Sequence, residues 1–382
     1  MKVVLAAVRY PPAPGGAETH VAALAEGLVS RGHDVVVHTS DLFTEYPFSR
    51  RELPSLVNGV RVVRHRARRL AGAWTIMPDM PRALREERAE VFHAHSYGYY
   101  HTIATARAAA RAARPFVLTP HFHPPWSMEG GAGRRALRAA FDPTLGQYVV
   151  SRAARVIGVS SGEIGVMQRH ARLDAAKVSI IPNGFHADRF RPTPDGRAFR
   201  DRYQLGDAPV VLFAGRLASN KGLPQLAEAW ARVAPKHAGA RLVLAGEDQG
   251  WRAKLAAASR EPLVFTGHLP DDLYRSALAA ADLLVLPSEW EAFGIVLAEA
   301  AACGTPVVAT RVGGAPDVVH DGVTGKLVEY GDVDALAEAM GALLSDPAMR
   351  ARMGAAGQAR AFAEYSWDAV VERTIALYDE LL

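Results

Sequence analysis

The sequence predicts an α/β protein of two parallel-sheet domains, each wound with helices on both faces. Three observations carry that reading. At 382 residues the chain is long enough for two hydrophobic cores. Short β-rich apolar runs alternate with helical patterns along most of it, as parallel strands joined by helical crossovers require. From His186 to Gly206 the alternation stops, broken by Pro192, Pro194 and scattered charges, and beyond Gly206 it starts again.

The first strand is expected over Lys2 to Val8. It enters the turn-rich loop YPPAPGGAETH and then a helix with Val21, Leu24, Leu28 and Val29 on one face. Gly32 ends that helix, and Asp34 to Thr39 reads as the second strand. Further strand-like runs cover Val60 to Arg64, Glu90 to His95, Pro115 to Thr119, Ala154 to Ser160 and Val178 to Pro182. Helices are expected between them, notably over Tyr99 to Ala113 and Arg134 to Ala153. After the break, strands are expected at Val210 to Ala214, Arg241 to Ala245, Leu263 to Thr266, Asp282 to Leu286 and Thr305 to Thr310. Ser366 to Leu382 is an amphipathic helix whose apolar face (Trp367, Val370, Ile375, Leu377, Leu381) needs a partner.

Composition narrows the class. Hydrophobic content of 49% and charged content of 22% suit a soluble globular protein. The single cysteine, Cys303, excludes an intramolecular disulfide and fits a reducing compartment; among alanines it reads as a packing residue. The first apolar run, Val3 to Val8, is too short for a signal peptide, and no run reaches the length of a membrane span. A cytoplasmic location is therefore expected. The net charge of +4 is uneven: Met1 to Phe185 holds 24 Lys+Arg against 14 Asp+Glu, the remainder 20 against 26. A basic half fits an anionic acceptor or peripheral contact with the inner membrane face as well as a plain solvated surface. Arg61 to Arg69 and Arg134 to Arg138 are its densest runs. No nucleic-acid motif accompanies them, so no nucleic-acid partner is expected.

Several stretches carry candidate chemistry. Ser288 to Thr310, SEWEAFGIVLAEAAACGTPVVAT, sets Glu291 and Glu299 around a Phe293-Gly294 turn. On one helix they would stand ~12 Å apart along the axis, beyond the ~5–9.5 Å of glycosidase carboxylate pairs. That spacing suits two grips on one polar ligand, with amides at a helix start facing an anion, and equally suits two solvated glutamates. The first loop lacks GxGxxG and GxxxxGK[ST], which argues against dinucleotide and P-loop sites, while Gly15-Gly16 can still bring amides close to a phosphate. Arg216 and Lys221 lie in GRLASNKG before a helix, another place that favours anions. Asp332-Val333-Asp334 opens a late helix and reads as capping rather than a metal motif. The pairs His93/His95 and His121/His123 lack a carboxylate or cysteine at ligand spacing, so no metal is expected. Phe122 to Gly133, with Trp126 and Met128, reads as an acceptor lid or a long surface loop.

The segment E-A-F-G-I-x-L-A-E-A-x-A-x-G-T-P-V-V-A resembles the E-x7-E signature of retaining glycosyltransferases of family 4. Ordered matches from Gly15-Gly16 to Trp367 extend the resemblance over nearly the whole chain. It implies the GT-B fold, two Rossmann-like domains with an interdomain cleft. The first, 1–186, would face the acceptor; 187–206 would be a linker; 207–362 would bind the nucleotide sugar; 363–382 would return to the first domain. It also implies metal-independent transfer, with no cofactor, from a UDP- or GDP-sugar to a small-molecule, lipid or glycan acceptor. Arg216 and Lys221 would hold the diphosphate, and Glu299 the ribose. Glu291 with Ala292, Phe293, Gly294 and Ile295 would hold the sugar. Gly267, His268 and Leu269 would meet the base, and Gly15 and Gly16 would approach the diphosphate. His121 would lie by the anomeric carbon and, with Glu291, Arg216 and Lys221, form the catalytic set. His20, Tyr97, His123 and Trp126 are candidates for the acceptor side. Two departures stand out: Phe185 follows Pro182-Asn183-Gly184 where the family usually has Asp, and Asp317 stands where it more often has Glu. A nucleotide-sugar epimerase of the same fold and a non-catalytic binding module are the alternatives; the E-x7-E signature favours transfer over the first, and the intact Arg216, Lys221, Glu291 and Glu299 set counts against the second.

Overall fold

A computed structural model of the chain describes residues 1–44, 48–70, 74–122, 124, 131–259, 261 and 263–382. It divides into two compact units: Met1–Asn183 with Trp367–Leu382, and Gly184–Ser366.

The first unit is built on an eight-stranded sheet. From one edge its strands are Val178–Ile180, Arg155–Gly158, Phe116–Thr119, Val91–His95, Lys2–Ala6, Asp34–Ser40, Val60–His65 and Leu56–Val57. All neighbours are parallel except the last pair, a hairpin turned at Asn58-Gly59. The central strands are apolar throughout: Val3, Val4 and Leu5 are fully buried, as expected where both faces are covered. The helix Gly16–Ser30 and the terminal helix Trp367–Asp379 cover one face together, with Val21, Leu24 and Leu28 against Val370, Val371 and Tyr378 in one apolar cluster. Their approach is set by Gly27, where a Cβ would come within 2.5 Å of Val371 Cγ2. One expected helix is divided in three: Gly131–Phe141, a π-turn at Asp142–Gly146 and Gln147–Arg152. Pro143 lies in that π-turn, where its missing N–H breaks the ordinary helical ladder.

The second unit holds six parallel strands in the order Leu263–Gly267, Arg241–Ala245, Val210–Ala214, Leu283–Leu286, Val307–Thr310 and Gly325–Val328. The last of these is not apparent in the sequence pattern. The 187–206 stretch, expected to link two domains, is instead part of this unit. Its helix Arg197–Arg202 buries Phe199, and Arg200 binds the backbone carbonyls of Ala208 and Ala280. Its apolar residues are isolated ones, so no period announced them. Asp332 caps the helix Val333–Ser345 by accepting from Ala335 N at 2.9 Å, while Asp334 pairs with Arg232. No helix among the described residues is long and apolar enough to cross a membrane.

Candidate functional site

In the second unit the strand order reverses between Val210–Ala214 and Leu283–Leu286, and ligands of doubly wound sheets bind at such a switch point. The loops leaving those two strands carry Lys221 and Glu291. Lys221 Nζ meets Glu291 Oε1 at 2.6 Å, and Ser288 Oγ donates to the same oxygen at 2.7 Å. The two side chains are about 15% exposed, so the pair has lost most of its water but still reaches solvent. The backbone fixes the register. Glu289 N donates to Asn220 O at 3.0 Å, and Gly314 N donates to Glu291 O at 2.8 Å. Gly222, with φ of 63°, lets the Lys221 turn close; a Cβ there would strike the carbonyl oxygen of Pro287. Arg216 lies exposed at the start of the same loop.

Glu299 stands on the helix Ile295–Ala302, one turn past its start, whereas Glu291 lies in the loop before it. The Glu299 carboxylate accepts from Tyr274 Oη at 2.5 Å, a partner on the helix Asp271–Ala280 that follows Gly267-His268-Leu269. Burial raises the Glu299 carboxyl above its ordinary range, and the Tyr274 hydroxyl works against that shift. Burial also pushes the Cys303 thiol up to about 12, which keeps it a protonated packing group. Gly267 and His268 are exposed at the end of an edge strand, and Leu269 is buried. Phe293 turns into the core against Tyr365, with ring centres 5.5 Å apart. Ala292 and Ile295 flank it, half-buried.

In the first unit the switch point falls between Lys2–Ala6 and Val91–His95. Gly15 lies exposed in the loop after the first of these strands, and Gly16, also exposed, opens the helix that follows. Glu18, paired with Arg9 at 2.7 Å, folds over Gly15, so a carboxylate already faces this helix start. His20 is buried on that helix and His95 ends the other strand. His121 follows Phe116–Thr119 with φ of 42°, an uncommon conformation for this residue type. His95 Nδ1 lies 3.3 Å from His121 Nε2, and the His20 ring stands 4.9 Å from that of His121. His20 Nδ1 donates to Asn183 Oδ1 at 2.7 Å. Tyr97, a candidate for the acceptor side, is buried, under Arg138 and against Phe141. His123 and Trp126, with most of the lid segment, lie outside the described residues.

Sequence reasoning missed Glu163. Ser160-x-x-Glu163 has the form of a capping box, and Ser160 Oγ accepts from Glu163 N at 3.0 Å. The Glu163 carboxylate does not close the box on Ser160 but accepts from Val159 N at 2.7 Å and from Phe122 N, next to His121. Burial pushes this carboxyl up to about 7 against the pull of those two N–H groups. Tyr274 and Ser288 were also unmarked; nothing in their local sequence distinguishes them from ordinary helix and loop residues.

Two doubly wound parallel sheets, each in a compact unit of its own, define the class of fold as GT-B. Residues 14–189 match the model described as Glycosyltransferase Family 4, and 197–360 match Glycosyl transferases group 1. The chain belongs to the family 4 glycosyltransferases, which act with retention. It is 33% identical to a GDP-mannose-dependent alpha-(1-6)-phosphatidylinositol monomannoside mannosyltransferase of Mycolicibacterium smegmatis, over 94% of this chain and 93% of the relative. It is also 33% identical to an alpha-maltose-1-phosphate synthase of that organism, over 99% of both chains. Among solved structures, the Anabaena protein HepE in complex with UDP and glucose superposes with a TM-score of 0.77 at 22% identity, covering both chains fully. Sucrose-phosphate synthase from Thermosynechococcus elongatus gives 0.75 at 23%, over 100% of this chain and 98% of the other.

Proposed function

We propose that the chain moves a sugar from a nucleoside diphosphate carrier, UDP or GDP, to an acceptor hydroxyl without a metal ion. The observation that carries this reading is the Lys221–Glu291 pair. In the donor complex Lys221 and the exposed Arg216 neutralise the diphosphate as charge builds on it, the task a divalent cation performs in metal-dependent transferases. Glu291, held by Ser288, accepts hydrogen bonds from sugar hydroxyls, and Glu299 takes those of the ribose. The bond from the anomeric carbon to the diphosphate oxygen breaks and that to the acceptor oxygen forms on the same face. The acceptor proton passes to the departing diphosphate. His121 donates to the sugar near the anomeric carbon.

The mannosyltransferase relative makes GDP-mannose the first donor to assay. The basic first half favours an anionic acceptor, lipid-borne or phosphorylated. Thermal shift against UDP, GDP and ADP identifies the carrier, since a ligand at a hundred times its Kd adds ~2.7 kcal/mol to stability. With donor and acceptor in hand, Lys221→Ala and Glu291→Ala are each expected to lower kcat/KM about a hundredfold, the loss of ~3 kcal/mol of charge stabilisation. Unchanged turnover in both would remove the assignment. Activity is expected to survive EDTA; loss in EDTA with recovery on adding manganese would reverse the metal-free clause.

A further inference from the structure

We propose that His20, His95 and His121 form a binding site for a divalent transition-metal ion of the zinc type, and that filling it switches transfer off. One ring nitrogen from each of the three lies within 4.8 Å of the other two. They come from separate elements, a helix, a strand end and the turn after the next strand, and the fold converges them at the switch point of the first sheet. Two histidine ligands ~2.05 Å from a tetrahedral zinc stand about 3.3 Å apart, and His95 Nδ1 and His121 Nε2 are 3.3 Å apart.

The surroundings orient the rings as metal sites do. His20 Nδ1 must be the protonated nitrogen, because it donates to the Asn183 carbonyl oxygen, and this leaves Nε2 with its lone pair. A carbonyl on the far nitrogen is the usual support of a metal-bound imidazole. Trp367 packs edge-on against the same ring at 5.1 Å. His101 Nε2 donates to the backbone oxygen of His95 at 2.5 Å and pins that residue. Among the described residues His95 Nε2 is buried without a hydrogen-bond partner, while Nδ1, the nitrogen that faces His121, is the one placed to ligate. His121 is the half-exposed member and gives the entry path.

Three imidazoles select zinc, copper or nickel over magnesium and manganese, which prefer oxygen ligands. The site therefore differs in ligand chemistry from the oxygen-lined magnesium or manganese site of a metal-dependent transferase. Binding stands on geometry alone. Inhibition rests on the proposed role of His121 beside the sugar, because a ring held on the metal can no longer turn its N–H toward the sugar.

The test uses the full chain, free of any polyhistidine tag and dialysed against chelator. Titration with ZnCl2 is expected to show one site, and CoCl2 to give the visible absorption bands of tetrahedral Co2+, which ZnCl2 bleaches and MgCl2 does not. His121→Ala, checked for native circular dichroism, is expected to lose those bands and at least tenfold in zinc affinity. No binding, or equal binding by His121→Ala, would overturn the site and leave the transferase reading intact. Zinc bound at this site without loss of transfer would overturn the inhibition and the role given to His121.

Discussion

Lys221 Nζ lies 2.6 Å from Glu291 Oε1 although 70 positions separate the two residues, and the adjacent ends of two parallel strands bring them together. Each charge has lost most of its water, and each has few other partners to replace it. Removing one member therefore leaves a largely desolvated ion without its counter-charge, whereas removing both does not. Lys221→Ala and Glu291→Gln are each expected to lower the urea midpoint of the second unit. The double variant should cost less than the sum, with a coupling of roughly 1 kcal/mol. Strict additivity would show that the pair is a surface accident.

The hydroxyl of Tyr274 is the hydrogen-bond donor to Glu299, at 2.5 Å. In Tyr274→Phe the carboxylate keeps its burial and loses the group that opposes the resulting shift, so its pKa is expected to rise further. With Glu299 on the ribose as proposed, donor KM should increase several-fold while kcat changes little, the mark of an interaction made equally in ground and transition states. Stability should fall by about 1 kcal/mol. A drop in kcat with KM unchanged would move Glu299 from donor binding to the chemical step.

Much of this arrangement was legible in the sequence, and what was not has a physical reason. Parallel strands buried on both faces are unbroken apolar runs, so Lys2–Ala6, Val210–Ala214 and Leu283–Leu286 announced themselves. Gly325–Val328 did not, because GKLV is short and carries a lysine. Phe199 anchors the 187–206 stretch as a single apolar residue among charges and prolines, a pattern identical to a linker until its helix is seen to pack. The E-x7-E spacing marked Glu291 and Glu299 but could not supply Lys221 or Tyr274 as their partners. Likewise Ser160-x-x-Glu163 is visible as a local cap, while its bond to Phe122 depends on contact between elements 41 positions apart.

The burial of that Glu163 carboxyl, which outweighs its two N–H partners, makes the first unit sensitive to pH in a defined direction. The Glu163 carboxyl titrates near 7 in the fold and near 4.5 when unfolded, so the folded state holds its proton longer. Its contribution is complete below pH 4.5 and is lost as pH rises through 7, so unfolding free energy should decline across that window. Glu163→Gln removes the titration. The difference between urea midpoints at pH 5 and pH 8 should therefore shrink in the variant. An equal difference in both proteins would assign the slope to other groups.

The approach of the Gly16–Ser30 and Trp367–Asp379 helices offers a test in which the sign of an effect reverses. Alanine is favoured over glycine in a helix interior by about 1 kcal/mol, but at position 27 its methyl would come within 2.5 Å of Val371 Cγ2. Packing against a branched side chain in a filled core leaves little room to yield, so overpacking of about 1–3 kcal/mol should win and Gly27→Ala should destabilise the protein. Val371→Ala alone should also destabilise, by creating a small cavity. In the Val371→Ala background, however, the clash is gone and the helix preference is left to act. Gly27→Ala should then raise the melting temperature rather than lower it. If the substitution destabilises equally in both backgrounds, the two helices do not meet at Gly27 and Val371, and the packing assigned to the C-terminal helix is wrong.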